Sequence, residues 1–331
     1  MAELHPVRRR AFVAAVGAAS LLPGSLWAQD YPTKPIRLIA SYPAGGGTDM
    51  MARLIAEKLQ AKWNQPVVVE NRAGGLGLIG AQFAAAAKPD GYTLYVGSSD
   101  LMVLLPLQYL NLPLDPGSSF VPVAPIAYQY EAVVVHPSVP VNSIQELVAL
   151  AKSRPGQMNY ASQGPSTLGH LSGELFQART GTKLTHVPYK GSAPAVADLL
   201  GGQGPTVMFG MMATVAPYVK AGKLKALAIT SPKRSVVLPE VPPAAETGLR
   251  NFVLASWNGV FAPAGTPAAL VDRLNAAIRE ALQMPDTAER LTRNGLESAI
   301  STPAEFAAMI KADQQKWSQI VRDAGIQKQS L

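Results

Sequence analysis

The sequence predicts an α/β protein with two lobes and a ligand cleft between them. Apolar, strand-like runs alternate with helical patterns over most of the 331 residues, and this alternation is typical of a parallel sheet covered by helices. The alternation pauses after residue 96, restarts at residue 132 and ends in a tail of three helical patterns. Two sets of strands indicate two lobes, and open α/β sheets bind ligands beyond the carboxyl ends of their strands.

The elements follow in three groups. The first group has strands at 36–40, 67–70 and 93–96 and helices at 50–63 and 79–87. The second has strands at 132–135, 159–161, 186–189, 206–209 and 224–230 and helices at 144–153, 167–180, 193–200 and 213–221. The tail has a strand at 256–261 and helices at 267–283, 287–294 and 303–324.

This grouping predicts the boundaries of the lobes. Residues 30–130 and 257–331 are assigned to lobe 1, and residues 131–256 to lobe 2. The chain would cross near 128–131 and return near 255–258. Two lobes joined in this way can close on a ligand by hinge motion.

Residues 1–28 read as an export signal. Three arginines at 8–10 precede an apolar stretch at 11–22, which is too short to span a bilayer comfortably, and Ala28 offers a small residue for cleavage. The run Arg9-Arg10-Ala11-Phe12-Val13 also resembles a twin-arginine signal, the kind that exports folded proteins. A membrane anchor retained at the N-terminus is the alternative.

Composition excludes several kinds of function. Without residues 1–28 the chain loses three arginines and one glutamate and carries a net charge of +5. Its basic residues are scattered, which argues against nucleic acid as a partner, although a mildly positive surface helps to gather anions. The chain has no cysteine, so disulfides and thiol catalysis are excluded.

A glycine-rich run after the first strand predicts an anion-binding site. A strand that turns through glycines into a helix directs unpartnered N–H groups, and the positive end of the helix dipole, at one spot. No nucleophile or P-loop lysine lies beside the run, so the anion would be held and not transformed. The candidate residues are Tyr42, Ala44, Gly45, Gly46, Gly47, Thr48 and Asp49.

A second turn of this kind lies at 161–170 and could face the first. Its hydroxyl residues Ser162, Ser166 and Thr167 are candidate donors to the same ligand, and His170 is a donor or an orienting group. An N-capped helix and a structural histidine are the alternatives. The sequence lacks the second glycine of a GxSxG motif here, so a serine hydrolase is not indicated.

Further candidates for the cleft are polar or adaptable residues at strand ends and crossings: Ser98, Tyr130, Gln163, Tyr189, Gly210 and Met211. No metal site is predicted, because His136 and His186 fall in strands and no acidic cluster accompanies them.

The motif at residues 75–80 offers a competing reading. It matches GxGxxG, opens a helix, and is followed by Asp100 twenty residues later, which is the spacing of a dinucleotide-binding unit. However, the match begins several residues after its strand and lies in the second strand–helix unit. An exported NAD-type oxidoreductase therefore remains as the alternative function.

Several motifs in order resemble the extracytoplasmic solute receptors of tripartite tricarboxylate transporters, also called the Bordetella uptake gene family. The resemblance covers nearly all of the chain after the export signal, at residues 31–36, 42–49, 69–75, 89–94, 164–170, 188–191, 197–202, 221–224, 256–257 and 262–267.

The resemblance implies a type II periplasmic binding fold and a periplasmic receptor, with no enzymatic activity and no cofactor. Such receptors capture a small carboxylate and deliver it to the membrane subunits of a transporter. The loop at 44–49 would hold one carboxylate and the turn at 162–167 would oppose it. We expect a monomer, and presentation of the ligand to a sensor kinase is a further alternative.

One departure from the family pattern bears on the ligand. Family members often have polar residues such as Asp-Ser after the fourth strand of the second lobe, whereas this chain has Gly210, Met211 and Met212. The departure argues against a strongly polar or amine-bearing ligand and favours an apolar or aromatic carboxylate.

Overall fold

The computed structural model describes residues 31–323 and 325–331, which build a ten-stranded mixed sheet covered by helices. The predicted export signal lies outside these residues. The strands are β1 (Ile36–Ala40), β2 (Val67–Asn71), β3 (Thr93–Ser98), β4 (Tyr109–Leu110), β5 (Phe120–Val135), β6 (Met158–Ser162), β7 (Leu184–Pro188), β8 (Val207–Met211), β9 (Lys225–Ile229), β10 (Ala255–Pro263), β11 (Leu296–Ser298) and β12 (Gln329–Ser330).

The helices cover both halves of this sheet. They are α1 (Gly47–Trp63), α2 (Leu78–Ala85), α3 (Leu105–Gln108), α4 (Pro116–Ser119), α5 (Ile144–Ser153), α6 (Leu168–Thr180), α7 (Ser192–Gly201), α8 (Met212–Lys220), α9 (Ala268–Gln283), α10 (Pro285–Arg293) and α11 (Pro303–Asp323). Short 3₁₀ turns at Gly75–Gly77 and Ala244–Thr247 and a π-helical segment at Asp100–Leu104 complete the order.

Strand β5 joins two half-sheets. The main strand order is β2-β1-β3-β10-β5-β8-β6-β7, with β9 and β11 also paired to β5. The first part of β5, up to Tyr130, pairs with β10, and the part from Glu131 onward pairs with β8 and β9. One long strand therefore carries the chain from one half to the other. The residue boundaries of the two lobes stay a prediction.

The sheet is not parallel throughout, as the alternation of elements had suggested. The pairs β1–β2, β1–β3, β6–β7 and β6–β8 are parallel, whereas β5 and β10 run antiparallel to each other and to their other neighbours. Strands β5 and β10 are the ones by which the chain crosses between the half-sheets and returns. They are therefore not joined to their neighbours by the right-handed crossover helices that connect parallel strands.

Helix α1 forms because its apolar residues recur at helical spacing. Met51, Leu54, Ile55 and Leu59 lie on one face and are fully buried against the sheet. The helix ends at Asn64, whose left-handed backbone lets its N–H donate to the Gln60 carbonyl. Each of the four buried side chains contributes about 1.5–3 kcal/mol relative to exposure.

The tail helix α11 packs on the sheet, as its apolar stripe predicts. Phe306, Ile310, Trp317 and Ile320 are all buried, and the Phe306 ring meets the Trp257 ring of β10 edge-on at 5.3 Å. The stripe is thus part of the core and not a binding surface.

The described residues from Pro32 onward form one compact unit. None of the helices among residues 31–323 and 325–331 is long and apolar enough to cross a membrane.

Candidate functional site

The first turn of α1 presents open N–H groups at the carboxyl end of β1. The helix begins at Gly47, three residues earlier than the sequence pattern indicates, and its N-cap Gly46 supplies no side-chain cap. The N–H groups of Gly47, Thr48 and Asp49 have no acceptor within the helix, because they belong to its first turn. Partial positive charge from the helix dipole falls on the same place.

Asp49 stabilises the loop and does not face outward. Its buried carboxylate accepts hydrogen bonds from Gly45 N, Arg53 Nε and Asn71 Nδ2, each at 2.9 Å. Burial opposes ionisation of this carboxyl, but the hydrogen bonds from Arg53, Gly45 and Asn71 outweigh it and hold the pKa below its usual value. The structure therefore gives Asp49 a positioning role.

The glycine run itself offers fewer donors than the sequence suggests. Gly45 N is taken by Asp49, and Gly46 N donates to the Pro43 carbonyl at 3.4 Å. Ala44, Gly45 and Gly46 are exposed on the surface of the loop. The donors that remain for an anion are those of the first turn of α1.

A buried relay ties this turn to the crossing strands. Gln129 Nε2 of β5 donates to Asn258 Oδ1 of β10 at 2.7 Å, and Asn258 Nδ2 donates to Thr48 Oγ1 at 3.0 Å. Because Thr48 Oγ1 accepts this bond, its own proton stays free to donate to a ligand. A Cβ placed on Gly47 would lie 3.8 Å from Gln129 Oε1, so the start of the helix lies directly over β5.

Tyr42 and Ser98 form the neighbouring polar pair. Their hydroxyl groups hydrogen-bond at 3.1 Å at the ends of β1 and β3. Burial, reinforced by the nearby Asp100 carboxyl, raises the pKa of Tyr42, so this hydroxyl stays protonated. The structure brings Tyr42 and Ser98 together, and Ser98 pairs across the strands with Asn258, the residue that bonds Thr48 in the first turn of α1.

The opposing turn uses its hydroxyl groups internally. Ser162 Oγ hydrogen-bonds His186 Nε2 at 2.7 Å and donates to the Gly164 carbonyl at 3.1 Å. Thr167 Oγ1 donates to the same carbonyl at 2.7 Å. These two hydroxyls therefore bond within the second half-sheet, whereas the sequence predicts that they donate to the ligand. The open donors here are the first N–H groups of α6, which the Thr167 side chain does not cap.

His170 belongs to a stacked pair and is not free in the cleft. Its ring lies 4.3 Å from the His186 ring, and its Nδ1 accepts from Ser166 N at 3.4 Å. Burial lowers the pKa of His170, and burial together with His170 lowers the pKa of His186 to about 4, so both rings are neutral at pH 7. Ser166 adopts φ +61°, a strained conformation for serine, to close this turn.

Tyr130 and Tyr189, two further predicted site residues, make their contacts outside the two turns. The Tyr130 ring stacks with Tyr128 at 6.4 Å on the face of β5 opposite Gln129, where Tyr130 lines a separate cavity of about 220 Å³. The hydroxyl of Tyr189 donates to the Asp198 carboxylate of α7, so this hydroxyl already has a partner within the second half-sheet.

Gly210 serves packing. A Cβ on Gly210 would come 2.7 Å from Val215 Cγ1, so glycine is needed for the fit of β8 against α8. Met212 is buried in the core of the second half-sheet and does not line the cleft.

The floor between the two turns is a short stretch of β5 and β8. Residues at i and i+2 of a strand share a face, so Glu131 lies on the same face as Gln129. Met211 pairs directly with Glu131 across the strands. Gln163, whose Nε2 donates to the Phe209 carbonyl at 3.2 Å, borders this floor from the second half.

Sequence reasoning missed Glu131 as a site residue. Its carboxyl is fully buried, and Oε2 accepts from Ser172 Oγ at 2.6 Å. Burial is the largest influence on this carboxyl and raises its pKa to about 8. Hydrogen bonding from Ser172 and Gln163 acts against this shift, and the Asp100 charge adds to it. A single glutamate inside the apolar run 130–135 was a signal that could have found it.

The chain is similar to known proteins over nearly its whole length. The family model described as "Tripartite tricarboxylate transporter family receptor" matches residues 51–326. The chain belongs to this receptor family. Protein BugT of Bordetella pertussis is 39% identical over 315 residues, covering 95% of this chain and 95% of that protein.

Solved structures of family members share the fold. An R. palustris protein with adipate is 35% identical, with a TM-score of 0.83 over 91% of this chain and 100% of that one. MatC from Rhodopseudomonas palustris with bound malate is 30% identical, with a TM-score of 0.77 over 88% of this chain and 100% of that one. The predicted family and the predicted two-lobed α/β fold of periplasmic solute-binding proteins are both confirmed.

Proposed function

We propose that this protein is a periplasmic receptor that binds a small carboxylate between its two lobes and delivers it to the membrane subunits of a tripartite tricarboxylate-type transporter. The observation that carries the proposal is the open first turn of α1, with N–H groups of Gly47, Thr48 and Asp49 beside the hydroxyls of Thr48, Tyr42 and Ser98. Hydrogen bonds to a charged group contribute about 1.5–3 kcal/mol each.

The family supports the same class of ligand. Its solved members include proteins in complex with adipate and with malate, both small carboxylates. In this chain the half-buried Met211 gives the floor an apolar component, which favours a carboxylate with an apolar or aromatic body. Closure of the lobes would bury this body, and the ligand would stabilise the closed state by its additional contacts there.

The nucleotide alternative finds little support in the packing of its motif. A Cβ on Gly77 would lie 3.0 Å from Leu101 Cδ1, and a Cβ on Gly80 would lie 2.7 Å from Ser41 Oγ and 2.9 Å from the Arg72 carbonyl. These glycines let α2 pack closely on β1, so their occurrence has an explanation without a dinucleotide. We propose that the protein has no enzymatic activity.

A ligand screen tests this function. Thermal-shift measurements and calorimetry of the purified protein against mono-, di- and tricarboxylates, aromatic acids and NAD should give a carboxylate that raises Tm and is recovered unchanged. Binding of NAD without any carboxylate response, or chemical turnover of the bound acid, would contradict the proposal.

Location and partners have their own tests. Cell fractionation should recover the protein in the periplasm, and replacing Arg9 and Arg10 by lysines should block its export if the twin-arginine route is used. Light scattering should report a monomer. After crosslinking in membranes, the protein should copurify with transporter membrane subunits and not with a sensor kinase.

A further inference from the structure

A cavity of about 220 Å³ lies beside Tyr130, on the face of β5 opposite Gln129. We call it the Tyr130 cavity. Met212 at the start of α8, residues 231 and 233–237 of the loop after β9, helix α10 and strand β11 form the rest of its wall. Strand β9 pairs with the later part of β5 and β11 with the earlier part. Both half-sheets therefore contribute to this cavity.

The size and the apolar part of the lining suit a single aromatic ring. An apolar cavity of about 150 Å³ is large enough to hold benzene, so the Tyr130 cavity holds one ring with a small substituent. The lining residues Tyr130, Met212 and Leu296 are buried, and Val237 and Ala288 add further apolar surface. An aromatic ring and a methionine sulfur both make favourable contacts with a bound ring.

Two hydroxyl groups of lining residues have no hydrogen-bond partner. Tyr130 is only 8% exposed, and its hydroxyl makes no hydrogen bond within residues 31–323 and 325–331. Burial, reinforced by Glu297 and Tyr128, raises the pKa of Tyr130 to about 12, so this hydroxyl keeps its proton and can donate. Ser298 also lines the cavity, and its buried Oγ has no partner in the described part of the chain. Because buried polar groups are usually hydrogen-bonded, a ligand with an oxygen atom is indicated.

The charged side chains at the Tyr130 cavity are already paired, which favours a neutral ligand. Lys233 Nζ lies 2.9 Å from Glu297 Oε1, and Arg234 Nη2 lies 2.6 Å from Glu246 Oε2. A charged ligand would have to compete with one of these ion pairs, whereas a neutral ligand leaves both intact.

The cavity also lies where the two halves of the molecule touch. The ion pair between Lys233 and Glu297 joins the loop after β9 to β11. A Cβ on Gly295 would come 3.0 Å from Ala213 N, so the segment before β11 lies directly against the first turn of α8. A ligand that contacts both halves favours the arrangement in which its contacts are best. Occupancy of this cavity therefore influences the arrangement of the two halves.

We propose that the Tyr130 cavity is a second ligand site, which binds a small neutral aromatic molecule with one hydroxyl group and thereby changes the carboxylate affinity of the cleft. The ring of this molecule packs against Tyr130 and Met212, and its oxygen accepts a hydrogen bond from the Tyr130 hydroxyl. Binding in the cavity is independent of the proposed function, whereas the effect on carboxylate affinity rests on it. Tyr130 is a cleft residue by its sequence position, and this proposal gives it a ligand on the other face of β5.

Two fluorinated probes test binding by ¹⁹F NMR on the wild-type protein. They are 4-fluorobenzyl alcohol and 4-fluorotoluene, which differ in the hydroxyl group. The alcohol should bind about fivefold more tightly, because it gains a hydrogen bond. If ordered water alone fills the cavity, neither probe binds, and that result would overturn the proposal. Equal affinity of the two probes would also overturn it, since the hydroxyl would then have no partner.

A pair of tyrosine variants assigns this hydrogen bond. Tyr130→Phe should lower the affinity for 4-fluorobenzyl alcohol about fivefold and leave the affinity for 4-fluorotoluene unchanged. Tyr128→Phe is the matched control, because the Tyr128 hydroxyl donates to Met309 Sδ and does not line the cavity. The same loss in both variants, or in neither, would contradict the assignment.

A pair of alanine variants locates the probe. Ala288 lines the cavity from α10, so Ala288→Leu should fill part of the space and prevent binding of both probes. Ala276→Leu is the control, because Ala276 is exposed on α9 and does not line the cavity. An Ala288→Leu protein that folds by circular dichroism and binds the alcohol as the wild type does would show that the alcohol binds elsewhere.

Calorimetry tests the effect on the cleft. Saturating 4-fluorobenzyl alcohol should change the affinity for the tightest carboxylate of the screen by about threefold or more, and this carboxylate should change the alcohol affinity by the same factor, because coupling is reciprocal. Unchanged carboxylate affinity with the alcohol bound would overturn the coupling. If the alcohol binds but no carboxylate does, the proposed function fails and the second site stands.

Discussion

At the residue scale, the Asp49 carboxylate and the backbone conformation of Gly45 hold the loop after β1 in place. Asp49 receives hydrogen bonds from three groups, and Gly45 adopts φ +84° to bring its N–H to that carboxylate. The composition of the run was readable from the sequence, but the partners of Asp49 were not, because Asn71 lies 22 residues away on β2. Asp49 is a candidate binding residue by its sequence position, and in the structure it stabilises the loop.

Asp49→Asn should lower the unfolding free energy by about 1–2 kcal/mol at pH 7, since hydrogen bonds to a charged acceptor are lost. The folded-state pKa of Asp49 is lowered, so its contribution is present above the unfolded pKa, near 3.9, and is lost as pH falls through the folded value. The stability difference between wild type and variant should therefore shrink below pH 4 in urea titrations. A difference independent of pH would contradict this role.

Gly46→Val tests how closely a ligand approaches the loop. A Cβ on Gly46 would meet only the Pro43 carbonyl, at 3.4 Å, and the backbone there is extended, so the folded protein should tolerate the change with a loss of about 1 kcal/mol at the N-cap. Affinity for the carboxylate found in the screen should fall at least tenfold. Gly117→Val, in the exposed short helix α4 where a Cβ would meet only Asp115 Oδ1 at 3.4 Å, is the control, and unchanged affinity in Gly46→Val would remove the loop from the site.

At the element scale, most helices and strands could be predicted, but their ends could not. Periodicity placed α1 correctly, yet the helix begins at Gly47 because a tertiary contact, Asn258 with Thr48, holds residues that have little helical preference of their own. Strand β5 extends back to Phe120 through Pro122 and Pro125, which read as strand breakers. The ladder between β5 and β10 accommodates both prolines through register shifts beside them.

Asn258→Ala should uncouple α1 from the crossing strands. It leaves Thr48 Oγ1 and Gln129 Nε2 without their partner, and we expect the unfolding free energy to fall by about 1–3 kcal/mol with a parallel loss of carboxylate affinity. Asn294→Ala is the control, because the exposed side chain of Asn294 donates to the Arg290 carbonyl at the end of α10 and has no contact with the relay. Full affinity in a destabilised Asn258→Ala protein would show that the relay does not position the site.

At the scale of the whole molecule, the fold places two open helix N-termini and a polar floor where β5 passes between the half-sheets. The family and the two-lobed architecture were predictable, because many short motifs of the family occur in the same order along this chain. The polar floor was not, because Gln129 and Glu131 of β5 come to lie between the two turns only through the pairing of distant strands.

Binding between the lobes should make the molecule more compact. Small-angle X-ray scattering should show a smaller radius of gyration at saturating carboxylate than without it, since a ligand that contacts both lobes stabilises their closed arrangement. An unchanged radius with saturated ligand would indicate binding to one lobe alone.

The most direct test of the central claim is a crystal structure with the tightest carboxylate from the screen. We expect a carboxylate oxygen within hydrogen-bonding distance of the N–H groups of Gly47, Thr48 or Asp49, directly or through one ordered water. A carboxylate bound elsewhere, with the first turn of α1 left empty, would contradict the account.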